Sequence, residues 1–73
     1  MNNNNLIGTE NAGYIIVQQG RNAVIGQRNQ EEFAAWHYKI ENNKVNYFWG
    51  RYGSKDFAQK AFYKKENGIY SGN

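Results

Sequence analysis

Apolar and polar positions alternate most regularly between Phe33 and Tyr52, in FAAWHYKIENNKVNYFWGRY. Two runs rich in aromatic and β-branched residues flank Asn42-Asn43. Asparagine tolerates the left-handed backbone that a two-residue type I′ turn requires. Such a turn fixes the register of the strands it joins. Glu41 then faces Lys44, Ile40 faces Val45, Tyr38 faces Tyr47, Trp36 faces Trp49 and Ala34 faces Arg51. Side chains alternate between faces, so one face of this hairpin collects Trp36, Trp49, Tyr38, Tyr47, Ile40 and Val45. The other is mixed, with Phe33, His37, Lys39, Phe48 and Tyr52 among its members.

A second, shorter hairpin is expected upstream. Tyr14–Val17 and the stretch around Ala23-Val24-Ile25 are apolar and β-branched, and Gly20 between them offers the positive φ of a turn. Both faces of Tyr14-Ile15-Ile16-Val17 are apolar, the pattern of a strand covered on both sides, and a second protomer could supply one cover. The polar stretch 27–32, QRNQEE, reads as a connection with room for one helical turn.

Downstream the period changes from two to that of a helix. Ser54 is placed as an N-cap, with Asp56 in the first turn, and Lys60, Lys64 and Lys65 lie toward the favourable C-terminal end. Phe57, Ala58, Ala61 and Phe62 form one stripe, Lys65 snorkels at its end, and Tyr63 points away. The helix runs to about Asn67, with Gly68 as its C′ residue and Ile69 closing the cap.

These elements predict an α+β domain, ββββα: a four-stranded antiparallel sheet of two β-hairpins, with one C-terminal helix packed on the Trp36/Trp49 face. The domain spans 14–68. Residues 1–13, Asn-rich with glycine, read as a flexible arm whose Leu6 and Ile7 could dock on the domain, and 69–73 as a tail.

Composition narrows the chemistry. The chain has 73 residues, no cysteine and one histidine. Chains of this size have little core to spare, and no disulfide or thiolate metal site can staple this one. No metal or cofactor is expected, because one histidine and six scattered acids do not make a zinc site. The net charge of +3 is unevenly placed, −1 over residues 1–32 and +4 over 33–73. No apolar run is long enough to span a membrane. The N-terminus lacks the features of a signal peptide, and a cytoplasmic location is expected.

Catalysis is disfavoured. His37 has no obvious partner to position it as a base, Glu31-Glu32 are neighbours on a loop, and the glycines form no phosphate-loop pattern. Binding functions remain. Phe33, His37, Lys39, Phe48, Arg51 and Tyr52 are the candidate binding residues. The leading expectation is a non-catalytic protein-binding accessory protein that forms a homodimer through apolar sheet surface left uncovered by one helix. The alternative is a single-stranded nucleic-acid binder in which sheet aromatics stack on bases and Arg51, Lys55 and Arg28 contact phosphates.

In the stretch 34–65 the chain resembles small uncharacterised proteins of Gram-positive bacterial plasmids, conjugative elements and phages. The matching residues are Trp36, Tyr47, Trp49, Gly50, Tyr52, Asp56, Ala61 and Phe62. The resemblance implies a setting, an accessory protein of a mobile element that binds host or element components, and carries no activity with it.

Overall fold

A computed structural model describes residues 5–67. The strands are β1 (Glu10–Asn11), β2 (Tyr14–Gln19), β3 (Ala23–Gln27), β4 (Phe33–Glu41) and β5 (Lys44–Gly53), followed by helix α1 (Lys55–Glu66). They form one antiparallel sheet in the order β1-β2-β3-β4-β5. The sheet thus has five strands where the sequence suggested four.

The additional strand lies inside the expected arm. Ala12 and Gly13 adopt φ of 55° and 86°, which makes a tight turn between Asn11 and Tyr14. The backbone continues to pair upstream: Gly8 N–H donates to the Ile16 carbonyl at 2.8 Å, and Ile16 N–H donates to the Thr9 carbonyl at 2.8 Å. Leu6 is buried. Residues 1–4 and the expected tail and Gly68/Ile69 cap lie outside the described residues.

The central hairpin forms as the sequence dictates from its turn outward. Asn42 and Asn43 both have positive φ, 54° and 67°, and the register holds from Glu41↔Lys44 to His37↔Phe48. It then shifts by one: Ala35 pairs with Arg51, Ala34 with Tyr52 and Phe33 with Gly53. Trp36 therefore opposes a bulge formed by Trp49 and Gly50, and Trp49 sits at φ 54°. This insertion overturns the expected Trp36/Trp49 pair. It also exchanges the two residues that follow, so that Tyr52 joins the Trp36 face and Arg51 the opposite one.

The Trp36 face is concave and closes on itself. Rings of Tyr14 on β2 and Tyr52 on β5 lie 5.8 Å apart, although a flat sheet would separate those strands by about 14 Å. Trp36 fills the hollow, edge-on to Tyr14 at 5.5 Å and to Tyr52 at 5.8 Å. Its indole N–H donates to the Tyr52 hydroxyl at 3.1 Å. The ring fits only because both flanking strands carry glycine beneath it. A Cβ on Gly50 would meet Trp36 Nε1 at 2.5 Å, and one on Gly26 would meet Cζ3 at 2.8 Å. Leu6, Ile16, Val24 and Ala34 complete this cluster.

The helix covers the other face, not the Trp36 face. Ala58, Ala61 and Phe62 pack on Ala23, Ile25, Phe33 and Ala35, and small alanines on both layers let helix and sheet approach closely. The Ser54 hydroxyl accepts from Phe57 N–H at 3.1 Å, as expected of an N-cap. At the far end the Glu66 carboxylate accepts from three successive backbone N–H groups, Arg21 at 2.9 Å, Asn22 at 2.6 Å and Ala23 at 2.7 Å. Gly20 is not among the positive-φ glycines. A Cβ there would lie 2.5 Å from the Glu66 carboxyl, so glycine serves this approach and not a turn conformation. In the β3–β4 connection Asn29 Oδ1 accepts from the N–H of Glu31 and Glu32 at 2.8 and 2.9 Å, a side-chain-built turn with no helix.

Candidate functional site

The helix covers only part of its face, and the uncovered remainder holds the cations and aromatic planes. Toward the hairpin turn, His37 stacks on Phe48 with centroids 5.6 Å apart and planes 13° off parallel. Trp49 stands edge-on to His37 and to Phe48, at 5.1 Å from each. His37 is buried, Phe48 half-buried, and Trp49 is 55% exposed. Asn22, His37, Lys39, Phe48 and Trp49 line a hollow of about 320 Å³.

Beside it, between α1 and the edge strand β5, lies a groove of about 200 Å³ lined by Arg51, Phe57, Lys60, Ala61, Lys64 and Lys65. Two features of the fold place these cations. The bulge at Trp49 turns Arg51 toward the helix. On the helix, positions 57, 60, 61 and 64 follow the i, i+3, i+4, i+7 spacing of one stripe, on the margin of the buried one. Lys65 joins the two hollows: its ammonium donates to the Trp49 carbonyl at 2.7 Å.

Electrostatics follow from this crowding. Burial lowers the Lys65 pKa, and the Arg51 guanidinium adds to the effect. Burial also lowers the His37 pKa; Lys65 pushes the same way and Glu66 opposes it. The acids nearby do little to neutralise the groove. Asp56 meets Lys60 at 3.4 Å as an exposed pair of the kind that contributes little, and Glu66 is engaged at residues 21–23.

The six residues singled out from the sequence separate. His37, Lys39 and Phe48 come together around the upper hollow, and Arg51 lines the adjoining groove. Phe33 packs in the core under the helix and is 6% exposed. Tyr52 projects on the opposite side of the sheet, 54% exposed, and lines a separate hollow of about 250 Å³ together with Phe33, Tyr14, Glu31 and Glu32. Sequence reasoning missed Trp49, Phe57, Lys60, Lys64 and Lys65 as members of the site. The helical spacing of Phe57, Lys60 and Lys64 was the available signal for three of them.

Comparison with protein-family models, curated proteins and solved structures gave no match. Among the described residues no group of three or more His, Cys, Asp or Glu could hold a metal ion, and no helix is long and apolar enough to cross a membrane.

Proposed function

We propose that the protein is a non-catalytic binding module that holds a negatively charged partner across the helix-side surface of β5 and α1. One observation carries this reading: Arg51, Lys60, Lys64 and Lys65 converge on a single groove, in a chain whose total net charge is only +3. Concentrated charge of one sign in a concave surface attracts a complementary partner and raises its association rate. The mobile-element setting implied by the resemblance fits a small module that binds host or element components.

Inorganic polyphosphate tests the reading without assuming a partner. Binding that weakens steeply with salt, and weakens again in a Lys60→Gln/Lys64→Gln variant, is expected. Lack of binding at low salt, or indifference to the double substitution, would exclude the groove.

A second reading concerns a different surface. Ile15 and Val17 on β2 are each 43% exposed, and Ile7 is 52% exposed. The helix lies over β3, β4 and β5, so the double cover expected for β2 is incomplete within one chain. A homodimer joined through β2 would supply it. Light scattering at low and high salt distinguishes a salt-insensitive dimer from a monomer.

A further inference from the structure

We infer that the anionic partner is single-stranded nucleic acid, with phosphates in the α1/β5 groove and a base against the indole of Trp49. This inference rests on the anionic-partner reading and narrows it. Charge alone would suit an acidic peptide equally well. What separates the two is where the aromatic planes lie. Phe57, 42% exposed, lines the groove with the cations, and Trp49, 55% exposed, stands at its other end, where Lys65 holds the Trp49 carbonyl. Behind Trp49, the stacked His37 and Phe48 rings give it a rigid backing. Cations interleaved with exposed aromatic faces suit a strand whose bases are unstacked and whose backbone is charged at every residue. A duplex hides its base faces, and a peptide carboxylate has no use for an indole plane.

The bulge gives this arrangement a backbone origin. Trp49 is a non-glycine residue held at φ 54°, a conformation unfavourable for a bulky side chain. Without the inserted residue the indole would lie on the concave face beside Trp36. With it, the ring is brought to the same side as Arg51 and the helix lysines.

The test uses fluorescence anisotropy of a dye-labelled oligothymidylate of about 12 nucleotides, within the site sizes usual for such surfaces. Inorganic polyphosphate and a duplex of equal length serve as parallel probes. The key variant is Trp49→Asn, because asparagine accepts the left-handed backbone and removes only the ring. Oligothymidylate should bind more tightly than the duplex. Trp49→Asn should weaken it about tenfold or more and weaken polyphosphate binding much less, whereas Lys60→Gln/Lys64→Gln should weaken both. Oligothymidylate binding that is no tighter than duplex binding, or that is insensitive to Trp49→Asn, overturns the inference and leaves the anionic reading standing. Failure of polyphosphate and oligothymidylate alike at low salt removes both.

Discussion

The two tryptophans of this chain sit on either side of one sheet and have opposite fates. Trp36 is 3% exposed on the concave face, enclosed by tyrosines and seated on two glycines, whereas Trp49 is 55% exposed on the helix face. A single extra residue in β5 separates them. The concave face spends its aromatic area on stability, because the sheet curls until Tyr14 and Tyr52 meet over Trp36. On the helix face the packed layer is made by four alanines, Ile25, Phe33 and Phe62, and aromatic and cationic side chains remain at the margin. Aromatic content by itself therefore says little about function; the register decides which rings are core and which are surface.

The sharpest way to break the contrast is Trp36→Ala. Emptying a buried tryptophan site costs about 3–5 kcal/mol, comparable with the whole stability of a domain this small. Urea titration followed by circular dichroism should show a domain largely unfolded before denaturant is added. Next in size is Glu66→Gln, which removes the charge from three backbone hydrogen bonds and should cost about 1–2 kcal/mol in urea unfolding. Gly20→Ala disturbs the same carboxylate, so the double variant should lose less than the sum of the two single ones.

A smaller effect should appear with pH. His37 has its folded-state pKa lowered by burial from the ordinary 6.5, so the unfolded chain takes up the proton first. Its contribution is intact above about 6.5 and is lost as the pH falls from there through the folded-state value. Urea midpoints measured on either side of that value should show the decline, and His37→Phe, which keeps a ring against Phe48, should flatten it. The smallest effect is expected from Trp49→Asn, whose stability should remain within about 1 kcal/mol of wild type, since relief at a left-handed position offsets lost ring contacts.

Much of this architecture was legible in the sequence. Asn42-Asn43 fixed the hairpin and five rungs of its register, and Ser54, Asp56 and the alanine-phenylalanine stripe marked the helix. Three features were not read. A bulge conserves composition and alternation on both sides of itself, so counting outward from a turn passes through it undetected. Trp49-Gly50 opposite Trp36 was the local trace, because a glycine is needed under a large ring. The bulge led Tyr52 and Arg51 to be placed on the wrong sides; the face that the helix covers was misjudged separately, since Phe33 and Ala35 lie on β4, whose alternation the bulge leaves unchanged. The short β1 escaped notice because two residues carry no periodicity; Gly13, with the positive φ of its turn, was its trace.

The anchoring of Glu66 also has a kinetic meaning. Its three hydrogen bonds span 43 to 45 residues of chain, whereas each hairpin closes over a two- to five-residue connection. Closing a long loop costs more chain entropy than closing a short one, so this contact is expected to form after local pairing has reduced the chain's freedom. A contact made after the folding barrier leaves the folding rate nearly untouched and governs the rate of escape from the native state. The carboxylate at the end of α1 thus acts as a latch, one that sets how long the closed domain lasts more than how quickly it forms.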